Sequence, residues 1–161
     1  MGADIHIYAE KRLKSGEWAT VQTFTPVTKR AVGLPQEREY DWLFYNVEAR
    51  NYALFGKLAG VRGVGRRPLG IPDDASPLFK EFAELWDSDG HSHSYCSAAQ
   101  FIVDYLDTLD STDAAVKNYA AWVLDVGANN AMLRFLDAYC AIRVSEDDKA
   151  DDYRFVFFFD N

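Results

Sequence analysis

The chain contains three histidines, and each lies within a few residues of a carboxylate. His6 stands in Asp4-Ile5-His6, and His91 and His93 stand in Asp89-Gly90-His91-Ser92-His93-Ser94. In extended backbone, residues two apart project from one face, so Asp4 converges with His6 and His91 with His93. On a helix the same pairs would diverge. If the two segments meet, their imidazole nitrogens and carboxylate oxygens suit zinc, manganese or another borderline divalent ion. Such an ion lowers the pKa of its bound water and supplies a hydroxide nucleophile, with Glu10 or Asp89 accepting the proton. The expected metal set is therefore Asp4, His6, His91 and His93. The same spacing also fits an ordinary polar loop beside a solvated strand face, or a ligand pocket without a metal.

A second group is cationic: Arg50, then Arg62, Arg66 and Arg67 within Val61-Arg62-Gly63-Val64-Gly65-Arg66-Arg67. Glycines let backbone N–H groups approach an anion, and guanidinium forks grip phosphate oxygens in pairs. The Gly-Lys-Ser/Thr ending of a P-loop is missing, and no strand leads directly into the segment, which excludes a dinucleotide fingerprint. The expected substrate-binding residues are Arg50, Tyr52, Arg62, Arg66 and Ser94, around a small phosphorylated or nucleotide ligand. Trp42, Tyr45 and Tyr52 flank Arg50 and could stack a base, although aromatic side chains are more often core.

These residues must be carried by regular elements. Residues 3–12 alternate with period two, Ala3, Ile5, Ile7 and Ala9 against Asp4, His6, Tyr8 and Glu10, which predicts a strand with one face on the core. A turn at 14–17 and β-formers at 18–24 extend it to a hairpin. Residues 25–40 and 60–75 read as loops. A short helix at 51–59 ends at Gly60 as its C-terminal cap. Ser76-Pro77 opens a helix running to about residue 86, and Ser97 with Gln100 forms a capping box for one reaching about residue 109. Two further helices are expected at 111–126 and 129–139, split by Gly127. The acidic run 146–152 reads as a solvated loop. The last strand, residues 153–159, is apolar on both faces and so central in its sheet. The predicted fold is α+β: an antiparallel sheet containing both terminal strands, packed against helices from the middle of the chain. Antiparallel pairing of the ends brings Asp160 and Asn161 near Asp4.

Composition sets the class. The chain has 161 residues, 48% of them apolar and 15% aromatic, which predicts one globular domain over residues 1–161 with an aromatic core. A net charge of −8 argues against extended contact with nucleic acid, which needs a basic face. No apolar run approaches the roughly 20 residues of a membrane helix. The N-terminus lacks the order of a secretion signal, and His6 breaks the myristoylation pattern. Cys96 and Cys140 have no metal or redox spacing and are expected to be buried reduced thiols. A cytoplasmic location is expected; homo-oligomerisation stays open.

Five motifs in order, Met1-Gly2-Ala3-Asp4-Ile5-His6, Arg50-Asn51-Tyr52 with Leu54-Phe55, Leu58-Ala59-Gly60-Val61-Arg62, Asp89-Gly90-His91-Ser92-His93-Ser94 and Phe157-Phe158-Phe159-Asp160-Asn161, resemble a family of small phage and bacterial proteins. The family brings no established activity; the resemblance implies an association with phage genomes and a role in phage–host conflict. Three functions follow as expectations. The first is a metal-dependent hydrolase of a small phosphorylated, nucleotide-like molecule, preferred because three histidines with two carboxylates are a costly means of merely contacting phosphate. The second is a non-catalytic protein that sequesters a nucleotide immune signal. The third is an inhibitor whose acidic surface docks on a basic host factor.

Overall fold

A computed structural model describes residues 5–24, 51–61, 65–108, 128–140 and 142–160. Its centre is a four-stranded antiparallel sheet in the order β2-β1-β4-β3, built from β1 (Ile5–Arg12), β2 (Trp18–Phe24), β3 (His91–Ser97) and β4 (Tyr153–Phe159). The described helices are α1 (Tyr52–Ala59), α2 (Pro77–Trp86), α3 (Ala98–Thr108) and α4 (Ala128–Cys140). The fold is α+β with the terminal strands side by side, as the alternation predicts. The expected helix at 111–126 and the expected loop at 25–40 lie outside the described residues.

β4 is buried at every position and sits between β1 and β3. Its odd residues Phe155, Phe157 and Phe159 join Ile5, Ile7 and Ala9 of β1 beneath α1, α3 and α4. Phe101 of α3 stacks on Phe155 with ring centroids 3.9 Å apart, and Phe55 of α1 meets Phe157 edge-on at 5.2 Å. The even residues Val156 and Phe158 join Tyr8 under Phe79 and Phe82 of α2. Helices therefore cover both faces, which is why β4 shows no alternation of its own.

The helix ends follow from local chemistry. Ser76 Oγ accepts the Phe79 N–H at 3.3 Å with Pro77 at the first helical position, and Ser97 Oγ accepts the Gln100 N–H at 3.1 Å. Gly60 takes the left-handed conformation (φ 66°) and donates to the Gly56 carbonyl at 2.8 Å, closing α1.

Two polar ties join the chain ends to the body. Glu10, wholly buried, accepts the Ser76 N–H and the Arg154 Nε–H, each at 2.7 Å. Arg154 also donates to Asp74 at 2.8 Å and lies 4.0 Å over the Trp18 ring. Asp148 accepts from Lys11 at 2.7 Å and from the Tyr153 hydroxyl at 2.5 Å, and Asp152 accepts from Arg12 at 3.0 Å. The acidic run is thus not simply solvated: part of it fastens the approach to β4 onto the basic end of β1.

Candidate functional site

His6 sits on the α2 face of β1, directly opposite Phe158 of β4, and is wholly buried. Its ring stacks on Phe158 at 4.6 Å and lies 4.8 Å from the indole of Trp86, the last residue of α2. Nε2 is 3.2 Å from Asp160 Oδ2. An ionised carboxylate only accepts, which assigns the proton to Nε2. Asp160, the residue after β4, is itself buried. Antiparallel pairing of the chain ends thus gives His6 a carboxylate partner. Asp4, expected to converge with it, lies outside the described residues.

β3 places the other two histidines differently from a regular strand. His91 pairs with Phe159 and Ser94 with Phe157, so three steps along β3 match two along β4. The extra residue is absorbed at Ser92, whose φ of 53° is left-handed. A bulge re-aims the side chains around it. His91 consequently neighbours Phe159, on the α1 side, with centroids 6.0 Å apart. His93 stacks on Phe158, on the α2 side, at 5.2 Å. The expectation that these two imidazoles share a face is corrected by that one bulged residue. The two still sense each other: burial first, and the His91 charge second, hold His93 below its ordinary pKa.

Phe158 lies on the central strand with His6 stacked from β1 and His93 from β3, so a phenyl ring separates the two imidazoles. An ion needs its nitrogens about 2.0–2.1 Å away and cannot take both. Among the described residues, no group of three His, Cys, Asp or Glu is arranged to hold a metal ion. What the sheet end does hold is a set of unsatisfied nitrogens. His91 Nε2, His93 Nε2 and Trp86 Nε1 are all buried without a hydrogen-bond partner. Gly90 brings two of these rings together. A Cβ there would stand 3.2 Å from the Trp86 Cβ, 3.5 Å from a Phe158 ring carbon and 3.6 Å from the His93 Cε1. His93 also forms one wall of an open groove of about 450 Å3 between α2 and residues 71–73.

The remaining expected residues fall elsewhere. Glu10 was assigned proton transfer, but it is locked between Arg154 and the start of α2. It also stands four residues from His6, about 13 Å along the strand. Asp89 is exposed in the turn before Gly90, its N–H donating to the Trp86 carbonyl at 2.8 Å. Ser94 is buried and its Oγ accepts the Leu69 N–H at 3.2 Å, so it fastens the 65–70 segment to the edge of β3 and is not free for substrate. Gly70 donates to the His93 carbonyl at 2.9 Å in the same seam.

Arg66 belongs to the other side of the sheet. Its guanidinium pairs with Asp104 of α3, which raises its pKa further, and its backbone N–H donates to the Lys57 carbonyl at 3.0 Å. The glycine before it serves packing, not anion binding: a Cβ on Gly65 would fall 1.9 Å from the Gly56 carbonyl oxygen. Tyr52 opens α1 and packs, partly buried, against the α1-side core. Arg50 and Arg62 lie outside the described residues. Burial pushes the thiols of Cys96 and Cys140 well above the ordinary range, in keeping with unreactive free cysteines.

The site thus consists of His6, Asp160, Trp86, Phe158 and His93 on the α2 side, with His91 next to it on the opposite face of β3. Trp86 was not among the expected site residues, and Asp160 was expected only to come near Asp4, not to partner His6. A tryptophan closing a helix just before the histidine segment, and an aspartate ending an all-apolar strand, were the available signals. No helix among the described residues is long and apolar enough to cross a membrane. The chain matches no protein-family model, no curated protein and no solved structure.

Proposed function

We propose that the protein binds a small nucleotide-like ligand at the His6–Trp86–His93 end of the sheet and holds it without turning it over. One observation carries this reading: two buried ring nitrogens on the α2 side of the sheet, on His93 and Trp86, lack partners. A buried polar atom left unsatisfied costs about 1–3 kcal/mol, so the pair implies groups that a ligand completes. The indole N–H is a donor only and cannot ligate a metal, so an ion alone would leave it unsatisfied. A planar heteroaromatic ligand offers both acceptors and donors and tolerates stacking surroundings. The absence of a free general base at Glu10 favours holding over hydrolysis. The likeness of the five motifs to phage proteins suggests sequestration of a nucleotide signal in phage–host conflict.

Isothermal titration of the purified chain with AMP, GMP, CMP and UMP tests this, followed by mass spectrometry of the ligand released on heating. Stoichiometric binding, intact recovery and loss of binding in His93→Ala are expected. Failure of all four to bind at millimolar concentration, or recovery of a cleaved product, would overturn it.

A metal-dependent hydrolase is the second reading, favoured by the imidazoles of His91 and His93. An Nε2 that carries no proton has a lone pair for a metal, so His91 or His93 could each give one ligand to a zinc or manganese ion, from opposite faces of β3. A bound ion would supply an activated water. On this reading Asp89 is the nearest expected carboxylate in sequence. Elemental analysis of protein purified without added ions separates the two: a stoichiometric metal lost in His91→Ala supports hydrolysis, and metal-free protein supports binding alone.

A further inference from the structure

The groove beside His93 has a charge that bears on which part of a ligand it receives. Its apolar floor comes from Ile71, Pro72 and Ala83, and its rim from the carboxylates of Asp73, Glu84 and Asp87 with the single ammonium of Lys80. That ammonium is already engaged, donating to the Asp73 carbonyl at 2.6 Å. His93 is the one wall shared with the unsatisfied nitrogens.

We propose that this groove receives the amino-bearing edge of the ligand's base and turns its phosphate away, with Glu84 and Asp87 as the specificity-determining residues. The inference rests on the nucleotide-binding reading and adds the ligand class to it. An exocyclic amine donates hydrogen bonds, and carboxylates only accept them. Exchanging the amine for a carbonyl sets acceptor against acceptor, and sites built around such a donor reject the analogue lacking it strongly. The phosphate is disfavoured by sign: three carboxylates outnumber one engaged ammonium around the groove. The apolar part of the lining, Ile71, Pro72 and Ala83, accommodates a ring and leaves sugar and phosphate directed outward.

AMP and IMP share ring skeleton, ribose and phosphate and differ at one edge, where an amine beside an acceptor N1 is replaced by a carbonyl beside an N1–H, so their titration against the purified chain is the test. AMP is expected to bind at least tenfold more tightly than IMP, and adenosine to keep the same preference over inosine. In the doubly neutralised Glu84→Gln, Asp87→Asn variant the two affinities should come within about threefold, since amides donate as well as accept. These two positions are exposed at the surface of α2 and the turn after it, so the fold is expected to survive, as circular dichroism will check. Equal or tighter binding of IMP, or a ratio unchanged in the variant, overturns the groove assignment while leaving nucleotide binding intact. Failure of every nucleotide and nucleoside to bind overturns both.

Discussion

Glu10→Ala tests whether the buried carboxylate is structural. The side chain is fully buried, with one oxygen on the Ser76 N–H and the other on Arg154 Nε, both at 2.7 Å. Truncation strips the guanidinium of its buried counter-charge and the first turn of α2 of a partner. Breaking a buried pair costs about 3–5 kcal/mol. Arg154 keeps Asp74 and the Trp18 ring, so the lower end, about 3 kcal/mol, is expected. For a chain of this size that corresponds to a fall of roughly 6–12 °C in Tm. Glu10→Gln retains an oxygen for Ser76 and should lose only about 1–2 kcal/mol. Urea unfolding of the three proteins, with an Arg154→Met partner for a double-mutant cycle, measures each value and their coupling. Wild-type stability in Glu10→Ala, together with loss of a hydrolytic activity, would refute the structural assignment and restore Glu10 as a proton acceptor.

Three further outcomes follow from the geometry. His93 is held below its ordinary pKa of 6.5, so the unfolded chain binds the proton more readily and stability should fall as pH drops through that value. Between pH 7.5 and 5.5, unfolding free energy should decline more steeply for wild type than for His93→Gln; parallel curves would contradict the burial argument. Gly65→Ala should cost about 2 kcal/mol or more, because its Cβ would meet the backbone carbonyl of Gly56 at 1.9 Å. Gly16→Ala, at φ 90° with nothing within 4 Å, should lose only the roughly 1–2 kcal/mol of left-handed strain, so thermal melts of the pair separate packing from conformation.

Much of the architecture was legible in the residues themselves. Alternation over 3–12 and the unbroken apolar run 153–159 specify a half-alternating strand and a central one, and capping by Ser76, Ser97 and Gly60 marks helix ends that the structure reproduces. These signals are local: they depend on periodicity and on hydrogen bonds spanning three or four residues. The site was legible only in part. That His6 ends up beside the residues after the last strand follows from antiparallel pairing of the termini; that residues 91–97 form strand β3 at the edge of the same sheet does not, since this polar segment carries no apolar alternation.

Tertiary structure decided the rest, for one physical reason. A side chain's face and partner depend on register between strands far apart in sequence, and a single bulged residue reverses the face. Ser92 separates His91 from His93 in this way. Phe158, between β1 and β3, separates His6 from His93. Glu10 meets Arg154 across 144 positions and His6 meets Asp160 across 154; the sequence pattern predicts that these strands pair, but the side-chain partners depend on the register. The composition of the chain named the chemical groups available; long-range pairing chose which of them are spent on holding the fold and which are left with unsatisfied nitrogens at the end of the sheet.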